Sequence, residues 1–285
     1  MKKLHITLSI IAFAVFATFN TYGQDNKLVL TKGQKLEVSN EVKSKITMEM
    51  MGQSMEIISN VSMLQAIDVN EKSDSGYAVS ATIKKMKMEG SAMGQNMNYD
   101  SEKKEDQDSE IGKNFKNKIN AIVESQINEN GKTTSVKKSA TASEGTDAGN
   151  PMAMMQNMGG GNNEDAGAGA AFMVLPAGKK VNDSWSDSSN ADGIKVNRTY
   201  TVKDVKGSET TVLLKGTQSI NKNIENQGME VNVLMETKLS GEITVDTLTG
   251  VVKQKTITVE GTGTSEVMGQ SIPITSVSTT TTIVK

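Results

Sequence analysis

The sequence predicts an all-β fold of mainly antiparallel strands, arranged as two tandem meanders that form curved sheets with one or two short helices. Long runs of the chain alternate apolar and polar residues, which is the period-two pattern of a strand with one buried face. Four pairs of such runs flank a Gly-containing turn, as in β-hairpins. Hydrophobic residues make up only 36% of the chain, which suits sheets with one solvated face.

The first 23 residues predict a signal peptide. Lys2 and Lys3 precede an apolar run over 8–19, and Gly23 supplies the small residue expected before a cleavage point. The run is shorter than a membrane span requires, so we expect no membrane span in the mature form; the alternative is an uncleaved anchor. The chain also has no cysteine to carry a lipid. We therefore expect an exported protein, either periplasmic or secreted.

Four hairpins are predicted from the turns. Three of the turns contain Met-Gly-Gln, and the fourth contains Asn226-Gln227-Gly228. Glycine adopts the positive φ that a tight hairpin turn requires, and similar Gly-containing turns are expected near Gly131 and Gly250. The four hairpins cover residues 45–58, 83–99, 212–233 and 256–274.

The order of the turns indicates an internal duplication. Lys32-Gly33 opens the first half and Ala177-Gly178 opens the second, while Ser75-Gly76 and Lys206-Gly207 lie at matching places within them. Low complexity rich in Met, Gly, Ala and Asn separates the halves. We predict a first β unit over 24–140, a flexible Met/Gly-rich linker over 141–171 and a second β unit over 172–285.

Two short helices are expected beside these strands. Ile111, Phe115, Ile119 and Ile122 keep helical spacing within residues 109–123. Residues 151–158, inside the predicted linker, have the composition for two helical turns that the following glycines would end.

The chain lacks the side chains of most hydrolytic and metal chemistry. Its single histidine, His5, lies in the predicted signal peptide, and cysteine is absent. The mature form therefore has no Ser-His-Asp or Cys-His triad, no cysteine or histidine zinc site and no disulfide. No basic stripe with aromatic neighbours is present, so nucleic acid is not an expected partner. We predict a protein that is not an enzyme and that carries no cofactor.

Methionine and the single tryptophan are the candidate ligand-contacting residues. Met48 and Met50, like Met86 and Met88, are two residues apart and would lie on one face of a strand. Such methionines are typical of an adaptable apolar core, but they would also suit a hydrophobic ligand or soft Cu(I) and Ag(I) ions. Trp185 is expected to anchor the core or to stack on a ligand. No residue is assigned to catalysis or to a metal site.

The segment Leu175-Pro176, Lys179 and Val181-Asn182-Asp183-Ser184-Trp185 resembles a domain-of-unknown-function family of exported bacterial proteins. The Met-Gly-Gln hairpins and the turn Asp246 to Gly250 are similar to that family too, although Asn182 stands where glycine is expected. The resemblance implies a β-rich fold and no particular activity. More loosely, long meanders with an apolar concave face resemble the half-barrels of lipoprotein carriers, which hold acyl chains.

Three functions are consistent with these observations. The first is a non-catalytic protein that binds a lipid or another hydrophobic ligand on a curved sheet face. The second is a structural or interaction module that binds an envelope protein along an exposed sheet edge. The third is methionine-based binding of Cu(I) or Ag(I).

Overall fold

The computed structural model describes residues 26–50, 52–92, 94–138, 167–191, 193–226, 229–267 and 270–285. The predicted signal peptide and the helical stretch predicted at 151–158 lie outside these residues. Across the described ranges, no helix has both the length and the apolar character needed to cross a membrane.

Twelve strands dominate the fold and confirm the predicted all-β class. The first six belong to residues 24–140 and the other six to residues 172–285. In chain order the strands are β1 (Lys35–Met50), β2 (Gln53–Ser73), β3 (Gly76–Ala92), β4 (Gln95–Asp100), β5 (Ile122–Asn128), β6 (Thr133–Lys138), β7 (Ser184–Ala191), β8 (Ile194–Lys206), β9 (Glu209–Asn226), β10 (Met229–Asp246), β11 (Val251–Val267) and β12 (Gln270–Val284).

All twelve strands form one antiparallel sheet. Its order is β6-β5-β3-β2-β1-β12-β11-β10-β9-β8-β7, and β4 pairs with the second half of β3 beside β5. The two halves of the chain join where β1 pairs with β12, from Val38 opposite Val284 to Met48 opposite Ile274. Over the described residues the sheet is open, with β6 and β7 as its outer strands. Open sheets of more than about ten strands curl, and this one curls around its buried face.

The four predicted hairpins are confirmed as β1–β2, β3–β4, β9–β10 and β11–β12. Gly52 and Gly94, in two of the Met-Gly-Gln turns, have φ angles of 77° and 78°. L-residues with a side chain rarely adopt this conformation, so glycine sets the turn. The strand ends that flank the four turns lie at one end of the sheet, which we call the turn end; the opposite end is the base.

The helical region is shorter than the sequence predicts. Two helices, α1 (Lys104–Gln107) and α2 (Glu110–Phe115), replace the single helix expected over 109–123. Ser109 begins α2, because its Oγ accepts a hydrogen bond from the Gly112 amide at 2.9 Å. The helix cannot continue to residue 123, because Asn120 has a φ of 60° and Ile122 pairs with Thr82 in the sheet.

Three groups of buried side chains form the core. The basal core includes Val38, Ile67, Val79, Val212 and Val245. At the turn end, a turn-end cluster joins Ile57 of β2 to Ile220 of β9, although four strands separate them in the sheet order. A third group, the helix cluster, consists of Met86, Met88, Tyr99 and Phe115, against which Ile111 and Ile119 also pack. The turn-end cluster crosses the inner face from β2 to β9 through buried side chains of β1, β12 and β10.

Candidate functional site

The base of the curled sheet is covered by two segments of the chain. We call residues 26–30 and 167–175 the cap segments. Residues Gly167–Ala171 form a short 3-10 helix, so the end of the predicted linker is ordered, and Ala168 and Ala171 belong to the basal core. The Asn26 side-chain amide donates a hydrogen bond of 2.9 Å to the Leu175 carbonyl, which joins the two segments.

Backbone hydrogen bonds hold the cap segments to turns at the base. The Leu28 and Val29 amides donate to the carbonyls of Glu129 and Thr249 at 2.7 and 2.9 Å. The Met173 amide donates to the Gly250 carbonyl at 2.9 Å. Because buried backbone groups must find partners, these bonds allow two irregular segments to lie against an apolar sheet.

A cavity of about 180 Å³ lies between one cap segment and the inner face of the sheet. Its sheet side is built by strands β7 to β11, and residues 169–174 and the β5–β6 turn line the other side. Most of its sheet wall is apolar or aromatic. The side chains used below are Trp185, Tyr200, Leu214, Leu239, Ile243 and Ile257.

The aromatic part of the wall is a stacked pair. Trp185 and Tyr200 lie directly opposite each other on β7 and β8. Their ring centroids are 5.3 Å apart and the ring planes differ by 16°. Tyr200 is buried and Trp185 half-buried, so the indole keeps a surface toward the cavity.

An ion pair lies beside the stacked rings. Arg198 Nε donates to Asp187 Oδ1 at 2.8 Å, and the Tyr200 hydroxyl lies 3.4 Å from Asp187 Oδ2. The Arg198 side chain is 13% exposed, against 43% for Asp187. Asp187 is therefore paired by a largely buried arginine, and its charge is balanced within the site.

A second buried cation, Lys255, lines the same cavity. Its strand neighbours are Ile243 and Thr282, which places it on the inner face, and it is 9% exposed. Within the described ranges, no carboxylate or hydrogen-bond acceptor pairs with its ammonium. The lining contains three cationic side chains, Lys132, Arg198 and Lys255, and one anionic side chain, Asp187, although the whole chain has a net charge of −2.

The candidate residues from the sequence are not brought together. Trp185 lines the cavity. Met48 packs in the turn-end cluster, and Met86 and Met88 pack in the helix cluster, each at most 8% exposed. Met50 belongs to β1, but its side chain lies outside the described part of the structure. The buried methionines therefore fill the core, whereas Trp185 faces a cavity.

The helix cluster also shifts one titration. Burial, followed by the nearby carboxylates of Asp100 and Asp106, raises the pKa of Tyr99 above its ordinary value. The Tyr99 ring contacts Phe115 with a centroid distance of 5.2 Å. The raised pKa means that the Tyr99 phenol stays neutral within the helix cluster.

Sequence reasoning did not single out Arg198 or Lys255. A signal for Arg198 was present, because it is the only arginine in a chain with 31 basic residues, and arginine suits paired, partly buried sites better than lysine. Lys255 gave a weaker signal. Its inward position depends on the register shift between Thr244 and Val245, which leaves Lys253 without a partner on β10.

Comparison with known families gives one match. The profile of a family described as a family of unknown function (DUF6263) matches residues 74–252. This range includes Trp185, Asp187, Arg198 and Tyr200 but ends just before Lys255. No curated protein is significantly similar in sequence.

Comparison with solved structures shows the fold. A structure of lipovitellin, described as reporting lipid–protein interactions, is similar with a TM-score of 0.51 and 12% identity over 90% of this chain and 25% of that chain. The chain thus spans about a quarter of the lipovitellin chain. The β domain of the Bordetella autotransporter BrkA gives a TM-score of 0.25 and 8% identity, over 88% of this chain and 99% of the BrkA domain. An outer membrane channel from Pseudomonas putida F1 gives a TM-score of 0.21 and 10% identity, over 92% of this chain and 98% of the channel chain.

Proposed function

The chain belongs to the DUF6263 family, whose function is unknown, and we propose that it is an exported, non-catalytic protein that binds a hydrophobic ligand. The observation that carries this proposal is the cavity of about 180 Å³ on the inner face of the sheet, beside the stacked rings of Trp185 and Tyr200. The hollow is partly open, so a ligand can enter it from solvent. A hollow lined by rings and aliphatic side chains, with a few polar groups, has the composition of a ligand site.

The volume of the cavity limits what it can hold. An apolar cavity of about 150 Å³ takes up benzene, and drug-sized ligands occupy cavities of about 300–1,000 Å³. The cavity therefore suits a single ring or a short alkyl chain. A larger lipid would insert only one end and would leave the rest at the mouth, where Asp187 is half-exposed.

The fold supports an apolar ligand. Lipovitellin, whose structure was described in terms of lipid–protein interactions, has a similar sheet. In this chain one antiparallel sheet of twelve strands buries an apolar face. We place the ligand of this chain on that face, at the base of the sheet.

Export and the absence of catalysis belong to the same proposal. Lys2, Lys3 and the apolar run over 8–19 support export. Beyond His5 the sequence contains neither histidine nor cysteine, which removes histidine as a general base and cysteine as a nucleophile.

The proposal is tested by filling the cavity. Trp185 is the only tryptophan, so its emission reports occupancy directly, with 1-octanol as a neutral probe. We expect 1-octanol to shift the emission saturably. Leu239→Phe, which adds volume to the cavity wall, should weaken binding at least about tenfold, or about 1.4 kcal/mol.

The matched control is Leu234→Phe on the same strand. Leu234 is 41% exposed and does not line the cavity, so this variant should bind 1-octanol like the unaltered protein. Native mass spectrometry of the protein from its own envelope fraction should also show a ligand adduct that is lost on denaturation. The absence of any saturable response to 1-octanol, or equal binding by the Leu239 and Leu234 variants, would contradict the proposal.

A further inference from the structure

We infer that the ligand is an amphipathic monocarboxylate whose carboxylate binds Lys255 while its short apolar body fills the cavity beside Trp185. The inference rests on the proposed function and assigns the chemical class of its ligand. It follows from three features: the state of Lys255, the balance of the neighbouring charges, and the size of the cavity.

Lys255 lines the cavity and has no partner among the described residues. The residue as a whole is 9% exposed, and no acceptor in the described part of the chain lies against its ammonium. Most of the residue is packed against the sheet, but its ammonium nitrogen is not among the fully buried side-chain atoms that lack a partner, so it can be reached by a ligand. A ligand carboxylate in the cavity would supply that missing partner through a charge-assisted hydrogen bond.

Carboxylates on neighbouring strands are already engaged elsewhere. Glu242 Oε2 lies 2.6 Å from Lys203 Nζ, and Asp246 Oδ2 lies 4.0 Å from Lys253 Nζ. Neither side chain lines the cavity. Neither of these carboxylates therefore pairs with Lys255. A ligand in the cavity can bring a carboxylate to it.

The rest of the site is compatible with one negative charge. Asp187 receives hydrogen bonds from Arg198 and Tyr200, so its charge is balanced before a ligand enters. Lys132 is exposed and its charge is screened by solvent. One cation of the cavity lining, Lys255, therefore remains without a protein partner among the described residues, which matches a carboxylate better than a phosphate monoester, whose charge is about −1.5 to −2.

The apolar wall and the small volume define the body of the ligand. Leu214, Leu239, Ile243 and Ile257 present aliphatic surface next to Lys255 and the stacked rings. A volume of about 180 Å³ accommodates a short chain or a ring. Carboxylates that carry a short alkyl chain or a single ring therefore combine the required charge, polarity and size.

The experiment compares four probes with the same eight-carbon chain: octanoate, octyl phosphate, 1-octanol and octylamine. Binding is followed by Trp185 emission and checked by calorimetry. Octanoate should bind about tenfold to a hundredfold more tightly than 1-octanol, as a hydrogen bond between charged groups predicts. Octyl phosphate should bind more weakly than octanoate, and octylamine should bind worst because it meets a like charge.

Lys255→Met tests the assigned residue, and Lys253→Met is the matched control. Methionine keeps the apolar stem of Lys255 but removes its charge, so the preference for octanoate over 1-octanol should disappear while 1-octanol binding is kept. Lys253 is exposed on the same strand, and its variant should keep the full preference. A thermal melt of each variant verifies folding, and the ranking of the four probes on the unaltered protein requires no variant at all.

Each result has a distinct meaning. Octanoate binding no more tightly than 1-octanol, octyl phosphate binding best, or a preference that survives in Lys255→Met overturns the inference and leaves the proposed function standing. If 1-octanol also gives no saturable response, the proposed function itself fails.

Discussion

At the scale of single residues, three side chains distinguish the cavity. Two are the only ones of their type in the chain, and the third, Lys255, has no hydrogen-bond or ion-pair partner among the described residues. Trp185 and Arg198 are the only tryptophan and the only arginine of the chain, and both line the cavity with Tyr200 and Asp187. Lys255 is one of many lysines, and only the strand register reveals that it faces inward. The uniqueness of a residue is visible in the sequence, whereas its position relative to a bulge is not.

Tyr77 is the residue that fixes a cap segment to the sheet. Its hydroxyl donates to the Leu28 carbonyl at 2.9 Å and accepts from the Leu30 amide at 3.2 Å, and the side chain is 4% exposed. Tyr77→Phe should lower the free energy of unfolding by about 1–3 kcal/mol, because two buried backbone groups lose their partner. Urea denaturation measures the change.

Tyr99→Phe is the control for this prediction. The Tyr99 ring is also buried, but no hydrogen bond of its hydroxyl is found among the described residues. Its loss should change the free energy of unfolding by less than about 0.5 kcal/mol. Equal effects of the two substitutions would show that the Tyr77 hydroxyl does not hold the cap segment.

At the scale of elements, the sequence predicts what local chemistry determines. The turns at Gly52 and Gly94 require a positive φ. Glycine adopts this conformation readily, so the sequence alone predicts these turns. The predicted helix over 109–123 is too long. Ile119 and Ile122 continue the helical spacing of apolar residues, but Ile122 begins strand β5. The sequence predicts that residues 167–171 belong to the linker, because their small side chains give no periodic signal. These residues pack against the base of the sheet, and the strand residues that they contact are far away in the sequence.

Gly241 allows β10 and β11 to approach each other closely next to the cavity. It lies between Leu214 and Ile257 in the register of the inner face. A Cβ there would lie 2.5 Å from the Thr256 carbonyl oxygen and 3.0 Å from Ile257 Cα, which are backbone atoms of the adjacent strand. Gly241→Ala should therefore lower the free energy of unfolding by about 1–3 kcal/mol through overpacking.

The control is Ser240→Ala on the outer face of the same strand. Ser240 is exposed, so its substitution should change stability by no more than about 0.5 kcal/mol. Thermal and urea denaturation of both variants measure the difference. A Gly241→Ala variant as stable as the unaltered protein would show that the close approach of β10 and β11 is not required.

At the scale of the whole molecule, one pairing unites the two halves of the chain. β1 and β12 are joined by a continuous register, and the Thr282 hydroxyl donates to Asn40 Oδ1 at 2.7 Å across this junction. The sequence predicted the strands on both sides but left open whether they form one sheet, because this pairing links residues from opposite ends of the chain. The single sheet brings the base of the second half, with Trp185 and Lys255, against the cap segments and so creates the cavity.

The most direct test of this account is the location of a bound carboxylate in a crystal. Crystals grown with 2-bromooctanoate carry bromine one carbon from the carboxylate, and its anomalous signal gives the position of that atom. We predict a single peak in the cavity near Lys255, with the chain extending along Leu239 and Ile257 beside Trp185. A peak on the outer face or in the methionine-containing clusters, or a cavity that stays empty while octanoate binds in solution, would contradict the account.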